Sequence, residues 1–284
     1  MDMAEASSKP KNNLPPEEYA VKWMGNMELV EVDKKDAVTF VQKYHYSQIM
    51  PRLTKHYLGV LNRNGEIESV VTLGWGTQPL QTIQKIFPGS NYKSQDYLEI
   101  GKMCFRPELD NSNYGSQFIS ALVRWMKQNT NCSFLYTLAD GIMGKCGYVY
   151  QASNFVYVGS FKTSVYYDRE TGEKIHPRSA AQLCKENAQF CHRDKIYWLT
   201  YDFCEHKKID KIQGLMFRYI LPLNKVAKGA LQKQYASMKY PKDEDLYFER
   251  RVSNGKFERI PQPVFNMRVF TYNYQKGAKP VSEE

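Results

Sequence analysis

The 284-residue chain contains no apolar run of the roughly 18 residues that a helical membrane span requires, so no such span is expected. Its first residues, MDMAEASSKPKNNLPPEE, include no apolar h-region. They do not read as a secretory signal and are expected to form a polar leader over residues 1–26. None of the six cysteines, Cys104, Cys132, Cys146, Cys184, Cys191 and Cys204, belongs to a close C-x-x-C pair, which argues against a zinc ribbon or a redox dithiol. Reduced thiols and a cytoplasmic setting are therefore expected. No internal repeat is visible, so a solenoid is excluded.

The chain is rich in positive charge and tyrosine. A formal net charge of +9 permits binding to a polyanion and would speed the encounter. Its 21 tyrosines offer aromatic faces that, beside Lys and Arg, suit unstacked bases; burial in a core explains most of them equally well. A hydrophobic content of 42% supports a sizeable core, in one large domain or two small ones.

Periodicity outlines an α/β chain. Residues 27–32 read as a strand, Asp33 as an N-cap and residues 34–45 as a helix with Ala37, Val41 and Tyr44 near one face. Residues 57–62 and 67–73 flank Asn64-Gly65, a strong hairpin signal. The Gly, Pro, Gln and Ser of residues 74–95 suggest a long loop, and residues 96–105 a strand. Phe118, Ile119, Leu122, Val123 and Met126 recur at three-four spacing and define a helix over 114–128. Strands are expected at 133–138, 155–161, 195–201 and 214–222, a turn at 168–172 and a helix at 178–189. Beyond about residue 240, polar composition and prolines suggest a tail or peripheral extension. The expected fold is a mixed central α/β sheet flanked by helices, with a leader (1–26), a main domain (27–222) and a basic C-terminal extension (223–284).

Residues 140–155, DGIMGKCGYVYQASNF, carry the most information. Glycines free the backbone for tight turns or close ligand approach, and an acid and amide side chains sit among them. Such a loop-to-helix element could hold a small-molecule donor; a glycine-rich turn ahead of an ordinary helix is the alternative. Asp140 directly follows an apolar strand, where α/β sheets place ligand contacts. It is a candidate proton acceptor or metal ligand, or an N-cap. His45 is a candidate general base or metal ligand, or a packing histidine at a helix end.

The order of elements resembles the N-acetyltransferase (GNAT) fold. There a central strand, here 96–105, splays from its neighbour to admit the donor, and the next helix offers N-terminal amides to the pyrophosphate of coenzyme A. The phosphate loop would be residues 110–116 (DNSNYGS), which keeps one glycine, Gly115, of the usual [QR]-x-x-G-x-[GA]. Within that superfamily, the chain resembles the Mom-like DNA modification proteins of phages and related mobile elements. The resemblance spans residues 28–222. It rests on His45-Tyr46-Ser47, LEIGKMCF, Tyr114-Gly115-Ser116, Ala139-Asp140 with GYVYQASNF, and Gly172 with IHPRSA. Lys145 stands where that family leads one to expect histidine, and Lys102 where arginine is common.

The resemblance implies a transferase that places an acyl or methylcarbamoyl-type group on the exocyclic amine of adenine in double-stranded DNA, shielding phage DNA from restriction. It would act on a flipped base in the host-cell cytoplasm. His45, Ser47, Asp140 and Tyr150 would form the catalytic set. Tyr114, Gly115, Ser116, Gln151 and Asn154 would hold acetyl-coenzyme A or a related acyl donor. Tyr46, Arg52, Lys55 and Arg178 would contact DNA, Tyr46 by stacking on the base. Iron on His45 and Asp140 is a further option. Two other readings stand beside this one: a GNAT acyltransferase acting on a small amine or protein, and a non-catalytic DNA-binding module.

Overall fold

Alternating apolar residues and well-placed turns build a sheet in which two central strands pair for part of their length and then part. The computed structural model describes residues 27–109, 113–177, 179–269 and 271–272. The expected leader, Arg178 and residues 110–112 of the expected phosphate loop lie outside the described residues.

The described strands are β1 (Val30–Glu31), β2 (Leu53–Leu61), β3 (Ile67–Trp75), β4 (Tyr97–Phe105), β5 (Phe134–Asp140), β6 (Val156–Asp168), β7 (Lys174–Ile175), β8 (Ile209–Pro222), β9 (Phe248–Ser253) and β10 (Lys256–Ile260). They form one mixed sheet in the order β1-β2-β3-β4-β5-β8-β6-β7, with β9 bridging β8 and β10. The β2–β3 hairpin turns where Asn64-Gly65 demands it: Gly65 has φ 78°, and its N–H donates to the Asn62 carbonyl at 3.0 Å.

Helices cover both faces. α1 (Lys34–Tyr44) is capped by Asp33, whose side chain accepts from the Lys35 N–H at 2.7 Å. It buries Ala37, Phe40 and Val41 against Val70 and Cys104. α3 (Tyr114–Asn129) lies on the other face and buries Phe118, Ile119, Leu122 and Met126 against Leu98, Ile100, Leu135 and Phe217. At roughly 1.5–3 kcal/mol per fully buried large apolar side chain, this interface alone accounts for much of the attachment of α3.

Three expectations change. Residues 74–95 are not one long loop: α2 (Pro79–Ile86) forms there, with Pro79 at its first position and Ile83 and Ile86 buried beside Phe87, Tyr97 and Phe134. Residues 195–201 form no strand; the chain there is irregular and leads into α6 (Tyr201–His206), after α5 (Ala181–Phe190). Leu199 is buried while Tyr197 and Trp198 are exposed, so an apolar composition had mimicked a strand. The region beyond residue 240 contains the β9–β10 hairpin, joined to the main sheet through β8 at Ile212↔Arg250 and Gln213↔Glu249. Before it, α7 (Lys225–Tyr235) buries Ala227 and Leu231, Leu231 packing beside Ile220 and Val158.

The opening arises between β4 and β5. They pair in parallel from Tyr97↔Phe134 to Ile100↔Thr137 and then part. β5 stays with β8 as far as Asp140↔Met216, while β4 stays with β3 as far as Phe105↔Ser69. At the parting point sits Gly101, where a Cβ would lie 2.5 Å from Pro51 Cγ. Glycine lets the 45–51 loop press against β4 here, which brings His45 and Tyr46 to the opening.

Candidate active site

Four side chains from three distant stretches meet at this opening. Asp140 ends β5, and one of its carboxylate oxygens accepts from the Ile142 N–H at 3.1 Å. The other accepts from Lys174 Nζ at 2.8 Å, and both side chains are largely buried. Lys174 Nζ also lies 5.8 Å from the centre of the Tyr46 ring. The Tyr46 ring stacks on the His45 imidazole, with centroids 4.3 Å apart and planes at 27°. Asp140 is thus the N-cap of a short turn and the charge partner of Lys174 at once.

His45 caps the C-terminus of α1, its N–H donating to the Val41 carbonyl. Its Nδ1 lies 2.9 Å from both the amide nitrogen and the carbonyl oxygen of Ser47. In either tautomer the backbone engages Nδ1, so Nε2 is the nitrogen left for chemistry. Burial, with the cations of Lys102, Lys174 and Lys145, pushes the His45 imidazolium down to about 3, although the Ser47 backbone acts the other way. The ring is therefore neutral at physiological pH. Burial, then the charges of Asp140 and Tyr150, raises the Tyr46 phenol far above its ordinary range, so it stays protonated and beside both groups. Burial likewise raises Tyr150, which packs against Phe155 and Tyr219.

The glycine-rich stretch builds one wall. Gly147 has φ 85°, and a Cβ there would lie 2.6 Å from the Tyr219 ring; only glycine both reaches the left-handed region freely and admits that ring. α4 (Tyr148–Ala152) follows. Asn154, exposed and at φ 62°, ends this helix in the left-handed conformation that asparagine tolerates. The Gln151 side-chain amide donates to the Cys146 carbonyl (3.2 Å), the Tyr219 hydroxyl (3.0 Å) and the Pro241 carbonyl (2.9 Å). Tyr219 in turn donates to the Cys146 carbonyl. Gln151 thereby ties the loop to β8 and to the chain after α7. Gln151→Leu removes the donor to the Pro241 carbonyl while the Cys146 carbonyl keeps Tyr219, and is expected to cost about 1–3 kcal/mol of stability, read from chemical denaturation of the purified protein.

The remaining expected donor contacts lie at the start of α3. Tyr114 is buried and donates its hydroxyl to Ser69 Oγ at 2.9 Å. Gly115 lets α3 meet α4, since a Cβ would stand 2.7 Å from Val149 Cγ2. Ser116 turns its hydroxyl back to the Asn113 carbonyl at 2.9 Å. A helix's first-turn N–H groups point along its axis, and this is the end of α3 that can face an anion. Arg52 is exposed, and Lys55 lies on β2 with Nζ 5.8 Å from the Trp75 ring centre. The donor set does not fit iron: Asp140 is engaged by Lys174 and the Ile142 N–H, and Lys102, Lys145 and Lys174 surround His45 with positive charge. Among the described residues, no group of three or more His, Cys, Asp and Glu side chains is arranged to hold a metal ion.

Lys174 is the member that sequence reading missed. It follows a turn and occupies a two-residue edge strand, and neither position marks a lysine as functional. Residues 172–178 carry part of the family resemblance, but the signal lay in Gly172 and IHPRSA rather than in this side chain.

Comparison with known proteins places these features in a class. The methylcarbamoylase Mom of Escherichia phage Mu is 24% identical over 209 residues, which cover 72% of this chain and 80% of that protein. Among solved structures, a mutant of the spermidine N-acetyltransferase SpeG from Vibrio cholerae is 11% identical with a TM-score of 0.37; the match covers 70% of this chain and 94% of that one. The phosphinothricin acetyltransferase of Sinorhizobium meliloti, in complex with AcCoA, is 12% identical with a TM-score of 0.35, over 49% of this chain and 79% of that one. The chain's own sheet, with helices on both faces, is of the mixed α/β class. The Mom protein family model matches residues 26–242, and the chain belongs to that family.

Proposed function

We propose that this protein modifies the exocyclic amine of adenine in double-stranded DNA, transferring an acyl or methylcarbamoyl-type group. The reading is carried by the buried convergence of Asp140, Tyr46 and His45 beside the parted strands, in a chain of the Mom family. The net charge of +9 suits a polyanionic substrate.

An adenine amine inside a duplex is out of reach, so the base is extruded into the opening. Tyr46 stacks on the base or donates its hydroxyl to it. The amine is a weak nucleophile because its lone pair is delocalised into the ring, so positioning and proton removal must supply much of the rate. Asp140 takes the proton as the N–C bond forms; His45, held neutral, provides Nε2 as a second acceptor. Tyr150, whose phenol keeps its proton, or Ser47 returns a proton to the departing group. Backbone amides of β4 beyond Ile100, freed from β5, stabilise the developing oxyanion. An acyl-coenzyme A donor would supply the activated thioester, its pyrophosphate held by the first-turn amides of α3.

The test is nucleoside mass spectrometry of DNA from cells that express the protein. Deoxyadenosine carrying added mass is expected with the wild-type protein and not with Tyr46→Ala. An unmodified profile from folded wild-type protein, supplied with candidate acyl donors, would rule the proposal out. Acetyl-coenzyme A turnover that is independent of DNA would favour a small-amine acyltransferase instead.

A further inference from the structure

We infer that residues 261–269 with Thr271 and Tyr272, which lie beyond the family match, form a strap that completes the site, with Phe265 a positioning residue for Lys174. This inference rests on the proposed role of Asp140. After β10 the chain runs without regular structure past two glycines that flank the site. Gln262 packs where a Cβ on Gly144 would stand, at 2.5 Å. Asn266 then pairs with the backbone on the far side: its N–H donates to the Gly172 carbonyl at 2.8 Å and its side-chain amide to the Thr171 carbonyl at 3.3 Å. Between these anchors, the Phe265 ring meets Tyr167 edge-on at 5.7 Å, and Lys174 Nζ lies 5.6 Å from its centre. The Lys174 ammonium therefore sits near two aromatic rings, Tyr46 and Phe265, while bonded to Asp140.

The strap is held again just before β7. Glu173, wholly buried, accepts from the Thr271 N–H at 2.9 Å and from the Tyr272 N–H at 2.9 Å. Glu173 directly precedes β7, so the strap is held at the residue next to Lys174, whose ammonium reaches the site. β7 itself pairs with β6 only at Tyr166↔Ile175 and Tyr167↔Lys174. A two-residue edge strand specifies its position weakly, and the strap supplies the rest. The order of action is strap, then Lys174, then the orientation of the Asp140 carboxylate.

The experiment compares full-length Phe265→Leu and Phe265→Tyr with wild type. Leucine keeps the apolar volume but offers no ring face; tyrosine keeps the face. The first readout needs no activity: an amine-reactive reagent followed by peptide mass spectrometry. Lys174 is expected to be protected in wild type and Phe265→Tyr, and labelled at least about fivefold faster in Phe265→Leu. The second readout is DNA modification. Phe265→Leu is expected to lower kcat roughly tenfold with KM for DNA within about twofold, and Phe265→Tyr to recover most of the loss. Equal protection of Lys174 in all three proteins would overturn the inference, as would equal kcat in the two variants. Wild-type inactivity on DNA would sink the proposed function alone, because the labelling result stands without it.

Discussion

Asp140→Asn is expected to lower adenine modification by about 10²–10⁴-fold, the range over which a positioned acid or base contributes. Asparagine can still accept from the Ile142 N–H, so the turn survives, but it cannot take up the amine proton. The same change leaves the buried Lys174 ammonium without its charge partner. Breaking a buried ion pair from one side costs about 3–5 kcal/mol, and an amide oxygen that still faces the ammonium places this variant toward the lower end. Asp140→Asn/Lys174→Met removes the orphaned cation, so it is expected to regain stability without regaining activity. Nucleoside mass spectrometry and thermal melts on the three proteins separate the two effects. Activity in the double variant near the wild-type level would remove Asp140 from the chemistry.

Acid is expected to destabilise the protein through His45. In the native state burial and three lysines hold this imidazolium at about 3, whereas the unfolded chain protonates near 6.5. Between these values the unfolded state binds the extra proton, so stability falls as pH falls from 6.5 toward 3 and is flat on either side. The slope is at most about 1.4 kcal/mol per pH unit, or roughly 3 kcal/mol between pH 6.5 and pH 4. That is a large part of the ~5–15 kcal/mol that a typical domain possesses. His45→Asn is expected to flatten this part of the profile, measured by denaturant unfolding at several pH values. An unchanged slope in the variant would mean that His45 titrates normally in the folded protein.

Where local chemistry dominates, the chain could be read directly. Asp33 announces α1 because its carboxylate accepts from an otherwise orphaned N–H, and Asn64-Gly65 announces the hairpin because the turn needs positive φ. The apolar spacing of 114–128 became α3, with Phe118, Ile119, Leu122 and Met126 buried and Val123 partly so. The failures also have physical causes. α2 was hidden because two turns of helix between polar residues carry too few apolar positions to stand out from a loop. Residues 195–201 resembled a strand by composition, yet Tyr197 and Trp198 are exposed and the backbone of Trp198 and Leu199 bonds to the side chains of Asn187, Tyr166 and Arg251 rather than to a strand. The β9–β10 hairpin was hidden because its strands are charged, as suits a ribbon at a sheet edge.

His45, Tyr46, Asp140 and Tyr150 could be nominated from sequence, since a resemblance in five ordered segments singles out the stretches that contain them. Their convergence could not. It depends on β4 and β5 parting after Ile100, on Gly101 admitting Pro51, and on a lysine some thirty residues past Asp140 reaching back to it. The amino-acid order alone determined the mixed α/β class, the principal caps and turns, and the family, because each depends on residues close together in the chain. Tertiary structure decided the ion pair of Asp140 with Lys174, the neutral state of His45 and the strap from beyond residue 260. These depend on burial and on contacts across many tens of residues, which no local pattern records.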